Sequence, residues 1–329
     1  IVSIHNKLST IMPLSRFHAL REYLNTVILG QPTLTENLLI ALIADGHLLV
    51  EGPPGLAKTR AVKALCDGVE GDFHRIQFTP DLLPADLTGT DIYRAQTATF
   101  EFEAGPIFHN LILADEINRA PAKVQSALLE AMAEIQVTVG KNSYPLPELF
   151  LVMATQNPLE NEGTYPLPEA QLDRFLMHLN LDYPSAETEF EILRLSRNEA
   201  LKQEIPVITP IIQGDIFAAR EQALQIYLAE PLEKYIVDIV MATRQPAAYS
   251  AELASWLEYG VSPRATISLE RCARARAYLY ERDFVSPEDI QAVAPNVLRH
   301  RLLLSYQAQA DGVSADDVIN NILSQVAVP

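Results

Sequence analysis

In the first half of the chain, apolar residues gather into short runs. HLLVEG (47–52), FHRIQF (73–78), LILAD (111–115), LFLVMAT (149–155) and FLMHLNL (175–181) each have the length of a strand. Continuous apolarity in the middle runs predicts strands covered on both faces, as in a parallel sheet. Between them, residues 58–66 and 121–133 place apolar positions at helical spacing. Strand alternating with helix up to about residue 183 predicts a doubly wound α/β sheet.

After Tyr183-Pro184 the strand signals nearly stop. Ser185 followed by Glu187 and Glu189 opens a helix with acids in its first turn. Helical spacing continues through EILRLSR, DIFAAREQALQIYL, LEKYIVDIVMATR and ISLERCARARAYLY. Ser286-Pro287-Glu288-Asp289 predicts another start, with an N-cap serine and proline at the first helical position. The expected organisation is therefore two domains, an α/β core over 1–184 and an all-α domain over 185–329.

Two segments break the alternation. Residues 86–108 contain Thr97, Thr99, Glu101 and Glu103 alternating with Phe100 and Phe102, which is strand period. Residues 135–146 read as a second hairpin. Phe100 and Phe102 are expected to form an exposed aromatic pair.

Composition narrows the function classes. The 329 residues carry 42 acids against 25 Lys and Arg, a formal charge of −17. That balance repels phosphate backbones unless a basic stripe overrides it. The densest basic segment, residues 270–282, spreads its arginines around a helix and reads better as a solvated face. Nucleic acid is therefore not the expected partner. No apolar stretch reaches the roughly 18 residues a membrane helix needs, and the first residues lack a signal-peptide pattern. The two cysteines, Cys66 and Cys272, point to reduced thiols in a cytoplasmic protein. Scattered histidines predict no zinc site.

The candidate chemistry begins at GPPGLAKT, residues 52–59, between a buried strand and a helix. Consecutive backbone N–H groups backed by a helix N-terminus cradle phosphate. Lys58 would neutralise β/γ-phosphate charge, and the Thr59 hydroxyl would ligate Mg²⁺. The usual pattern has glycine before the lysine; Ala57 stands there, tolerable if that residue needs no positive φ. At the end of LILADE, Asp115 would hold Mg²⁺ through water and Glu116 would orient and deprotonate the attacking water. Taken alone, that pair reads equally well as a strand end capping the next helix. Asn157, in ATQNP, would position the same water. Arg174 and Arg264 are each, taken singly, ordinary surface arginines.

Together these residues resemble the AAA+ ATPases, and within them the MoxR family. GPPGLAKT, ADEINRAPAKVQSALLEAMAE, ATQNP, LPEAQLDRF, SPRAT and VLRHRLLL carry the likeness over nearly the whole chain. The resemblance implies an AAA+ P-loop NTPase core followed by an all-α lid domain. It matches Gly52, Pro53, Pro54, Gly55, Leu56, Ala57, Lys58, Thr59 and Arg60 to Walker A, and Asp115 and Glu116 to Walker B. Asn157 matches sensor 1, Arg174 the arginine finger and Arg264 sensor 2, while Gln31, in ILGQ, matches the segment near the adenine. It further implies ATP and Mg²⁺ as ligands and a homo-oligomeric, hexameric ring. Its work would be chaperone-like remodelling of client protein complexes, with a von Willebrand factor A domain partner. In related rings, hairpins like 86–108 and 135–146 face the pore and touch the client; padding of the core or of a subunit contact is the equal alternative. A DNA-translocating motor, a magnesium chelatase-like motor subunit and a non-hydrolysing nucleotide-dependent scaffold remain the alternatives.

Overall fold

The structure, a computed structural model, describes residues 2–158, 163–201 and 207–329. It opens with helices α1 (Val2–Val27) and α2 (Pro32–Ala44), for which the apolar runs give no expectation. Then come β1 (Leu48–Glu51), α3 (Lys58–Asp67), β2 (Phe73–Gln77), α4 (Pro84–Thr88), β3 (Gly89–Arg94) and β4 (Thr99–Ala104). The core continues through β5 (Leu111–Asp115), α5 (Ala122–Glu134), β6 (Gln136–Val139), β7 (Asn142–Pro145), β8 (Leu151–Gln156), α6 (Glu169–Leu172) and β9 (Met177–Asn180).

Five of these strands form one sheet in the order β2-β5-β8-β1-β9, with every pairing parallel. All five are the apolar runs of the sequence. Their side chains alternate between two cores, as a pleat of period two requires. Leu48, Val50, Leu113 and Met153 face α1–α3; Leu49, Ile112, Val152 and Ala154 face α5. The first of these cores continues without a break into the C-terminal helices, through residues such as Ile239, Leu269 and Val293. The helical unit is thus packed on the sheet through a shared apolar core.

That unit comprises α7 (Ala186–Ala200), α8 (Gln213–Leu224), α9 (Glu230–Arg244), α10 (Ala251–Trp256), β10 (Leu257–Tyr259), α11 (Pro263–Leu279), α12 (Pro287–Leu298), β11 (Leu303–Leu304), α13 (Tyr306–Ala310) and α14 (Ala315–Gln325). Both expected caps form. The Ser185 hydroxyl accepts from the Thr188 N–H at 3.3 Å, and Ser286 and Asp289 make a reciprocal capping box. The span is helical but also carries a two-stranded antiparallel ribbon, β10 with β11, too short to give a sequence signal. Within residues 270–282, Arg276 and Arg282 are half-buried rather than part of an open solvated face. They pair with Asp289, which is fully buried.

Both inserts are hairpins, β3 with β4 and β6 with β7. The expectation of an exposed Phe100/Phe102 pair is corrected. Phe100 is 71% exposed, but Phe102 is half-buried and stacks on Tyr144 of the other hairpin at 3.8 Å and 14°. Two residues apart on β4, the phenylalanines share one face, so their difference comes from what packs on each. Tyr144 of the other hairpin and Phe108 pack on Phe102, which lies nearer the base of the hairpin than Phe100. The exposed neighbour of Phe100 is its cross-strand partner Tyr93, 5.3 Å away.

Candidate functional site

The ends of β1, β5 and β8 meet at one edge of the sheet, and the candidate residues hang from them. From β1 the chain turns at Gly52 and enters α3 at Lys58. A side chain at Gly52 would place its Cβ 3.0 Å from both the Cβ and the carbonyl oxygen of Leu181, so only glycine fits this close approach. Gly55 has φ +88° and open space where a Cβ would stand. Ala57 caps α3 with φ 57° and ψ 14°. The position does require the left-handed region, so the condition that would make alanine harmless is not met. An L-residue there costs about 1–2 kcal/mol. Such strain persists only where surrounding structure enforces it, and it clusters at functional loops.

Lys58 folds over the loop, donating to the Gly52 carbonyl at 2.8 Å and reaching the Gln156 carbonyl at 3.4 Å. It lines an open cleft of about 410 Å³ together with Thr59, Asp115, Glu116 and Asn157. All five sequence candidates for phosphate, metal and water chemistry therefore share one cavity. Thr59 and Asp115 offer hard oxygen donors, a set that suits Mg²⁺. The helix behind the loop presents first-turn N–H groups with no carbonyl inside the helix to accept them.

The two carboxylates are held from several sides. Thr155, fully buried on β8, donates to Asp115 Oδ1 at 2.6 Å and accepts from the Glu116 N–H at 3.0 Å. Glu116 sits at φ 59°, ψ 51°, a second left-handed non-glycine residue in the cleft. Its Oε2 accepts from Gln77 at 2.8 Å and lies 3.2 Å from Arg119 Nε. Arg75, also lining the cleft, donates to Asp115 Oδ2. Sequence reasoning missed Thr155, Gln77 and Arg75. The signal for the last two was present: Arg75 and Gln77 flank the buried Ile76, so their side chains leave β2 on one face beside Asp115.

A second, more apolar cavity of about 290 Å³ adjoins the loop, lined by Val27, Leu29, Gln31, Leu56, Ile192 and Leu195 among others. Gln31 is buried and donates to the Asp182 carbonyl at 3.0 Å. Arg60 lines both cavities, but its guanidinium is engaged by Glu199 of α7 and by the Val27 carbonyl at 2.7 Å. It fastens α7 beside the loop.

Arg174 and Arg264 lie elsewhere. They line a different cavity, of about 350 Å³, with Asp173, Arg271 and Arg301, and it shares no lining residue with the Lys58 cleft. Arg174 donates to the Leu129 carbonyl at 2.7 Å. Arg264 is exposed, 3.8 Å from Asp173. Asp173 also accepts from Ser262 and from Arg301, each at 2.8 Å, so one carboxylate ties α6 to the start of α11 and the end of α12. His47 borders this cavity and is buried. Its Nδ1 accepts from the Val152 N–H at 3.1 Å, which leaves Nε2 to donate to the Met132 carbonyl at 3.3 Å. Burial pushes this imidazole down to about 4.

Residues 47–177 match the family of ATPases associated with various cellular activities (AAA), and residues 252–322 match the AAA lid domain. Chaperone MoxR1 of Mycobacterium tuberculosis is 48% identical over 305 residues, which cover 92% of this chain and 80% of that protein. Protein MoxR of Paracoccus denitrificans is 34% identical over 306 residues, 88% of this chain and 89% of that one. A crystal structure of a proposed ATPase from Cytophaga hutchinsonii aligns with a TM-score of 0.91 at 47% identity, covering 99% of this chain and 98% of that one.

Proposed function

The chain belongs to the MoxR family of AAA+ ATPases, and we propose that it hydrolyses Mg·ATP at an interface between copies of itself. The observation that carries this reading is the separation of the Lys58 cleft from the cavity that holds Arg174 and Arg264. Each chain brings a phosphate cradle on one side and a pair of arginines on another. A head-to-tail arrangement that closes into a ring unites the two halves; we take the ring to have six members.

The base and ribose enter the apolar cavity beside Gln31, and the phosphates lie along residues 52–60. Lys58 exchanges its carbonyl partners for phosphate oxygens. Thr59, and Asp115 through water, would hold Mg²⁺, which would neutralise charge on the β- and γ-phosphates. Asn157 and Glu116 orient a water in line with the γ-phosphorus. As the water oxygen bonds to phosphorus, its proton passes to Glu116 and the bond to the ADP oxygen breaks. A neighbour's Arg174 and Arg264 face the charge that builds on the transferred group, a role worth roughly 10³ to 10⁵ in rate for such arginines. Arg264 thus works on the next subunit's nucleotide, not its own.

Hydrolysis drives rearrangement of client protein complexes in the cytoplasm, with a von Willebrand factor A domain protein as the adaptor. The exposed Tyr93 and Phe100 give the ring an apolar grip on the client. A phosphate-release assay with parallel nucleotide-binding measurements tests the core of the proposal. Lys58→Ala abolishes binding, because the cation facing the phosphates is gone. Glu116→Gln binds ATP and stalls, because its carboxylate acts on water. Normal binding and turnover in both variants would overturn the site.

A further inference from the structure

The cleft contains a cation that neither the sequence motifs nor the proposed reaction uses. Arg75 stands near the C-terminal end of the edge strand β2, its side chain 47% exposed, against an Asp115 side chain 13% exposed. Two of its N–H groups converge on one oxygen: Nε lies 3.1 Å and Nη2 2.6 Å from Asp115 Oδ2. The other carboxylate oxygen, Oδ1, accepts from buried Thr155 at 2.6 Å. Both oxygens of the proposed metal-binding carboxylate therefore already have donors. The Arg75 contact is the exposed one.

Arg75 also reaches the second carboxylate. Its Nη2 donates to Gln77 Oε1 at 2.9 Å, and Gln77 Nε2 donates to Glu116 Oε2 at 2.8 Å. Arg75 and Gln77 thus bridge Asp115 to Glu116 along the face of one strand.

Resting on the nucleotide site proposed above, we propose that Arg75 and the divalent cation compete for Asp115. A guanidinium and a hydrated metal ion drawn to the same carboxylate repel each other, and its Oδ2 cannot serve both at full strength. Arg75 is a positioning residue: it holds Asp115 in place and yields when the metal–nucleotide pair arrives. Its release removes one of the two partners of Gln77, and with it part of the brace on Glu116. Metal binding at one carboxylate is thereby communicated to the other.

The test titrates Mg²⁺ against binding of a fluorescent ADP analogue by the full chain, and reads the metal concentration at half-saturation. Wild type is compared with Arg75→Gln and Arg75→Lys, with analogue affinity also measured in EDTA. An ion pair this exposed is worth a factor of about five at most, so Arg75→Gln should lower the midpoint roughly three- to fivefold. Arg75→Lys, which keeps the charge but loses the converging donors, should lower it about twofold. That variant carries the test if Arg75→Gln does not fold. Affinity in EDTA should stay level or weaken, opposite to the change with metal, which a general structural defect does not produce. An unchanged or raised midpoint overturns the competition while leaving the nucleotide site intact. Equal analogue binding by wild type and Lys58→Ala would remove the site itself, and this inference with it.

Discussion

The Lys58 cleft and the Arg174 cavity are built on different principles. Every key group in the cleft hangs from the end of a strand in one parallel sheet, and two residues, Ala57 and Glu116, are held in left-handed backbone to complete it. Its backbone frame is set by the sheet, while Lys58 and Arg75 hold partners that a ligand would displace. The Arg174 cavity lies where the sheet meets the helical unit, and Asp173 is the knot that ties the two. Its groups belong to separate elements, so its shape follows how those elements sit on one another. The difference teaches a division of labour. On the proposed function, the cleft would bind the nucleotide and the cavity would respond to a neighbouring chain placed against it.

The sharpest way to break this division is to mix two inactive proteins. Arg174→Ala keeps an intact cleft, and Lys58→Ala keeps an intact arginine. If each arginine completes a neighbour's cleft, an equimolar mixture should regain roughly a quarter of wild-type phosphate release, the fraction of interfaces that pair two intact halves. Either variant alone should fall by about a thousandfold or more. No recovery in assemblies shown to contain both variants would place Arg174 outside the neighbouring site.

A smaller effect separates the two regions by pH. Buried His47 borders only the arginine cavity, and burial lowers its pKa from 6.5 to about 4. The unfolded chain takes up this proton near 6.5 while the folded chain resists until about 4. Stability contributed by the neutral ring is therefore complete above that window and is lost as the pH falls through it. Buried His300 is shifted in the same direction. Denaturant unfolding at pH 7 and pH 5 should show a loss of about 2 kcal/mol assignable to His47. The slope should shrink by that amount in His47→Gln. A variant with the wild-type slope would contradict a neutral ring at this position.

The smallest effect tests the cleft. Ala57→Gly relieves a left-handed alanine but adds freedom to the unfolded chain, so a net gain of about 0.5 kcal/mol is expected. A shift of the urea midpoint to higher concentration checks it. A lower midpoint would mean that residue 57 does not hold this backbone in solution.

How far the sequence revealed these features depends on what each leaves in one dimension. The central strands β1, β5 and β8 were legible because burial on both faces leaves continuous apolar runs. Lys58, Thr59, Asp115, Glu116 and Asn157 were legible because each closes or follows such a run. The β10–β11 ribbon was not, since two or three residues carry no periodicity. Arg75 and Gln77 left a signal that went unused: in FHRIQF they flank the apolar Ile76, as the polar positions of the edge strand β2. The left-handed backbone of Ala57 had no sequence signal, because alanine does not advertise its dihedral angle. Nor did spacing reveal that Arg174 and Arg264, 90 positions apart in the chain, share a cavity that Lys58 does not.

The stack of Phe102 on Tyr144 carries a mechanical consequence. A lone hairpin is a cantilever, clamped at its two chain ends and free to swing. Joined ring to ring, β3–β4 and β6–β7 form a braced frame with four chains rooted in the core. A tug on the Tyr93–Phe100 tip then meets a stiffer spring, and the load reaches the base of α5 through β6 as well as the base of α4 through β3.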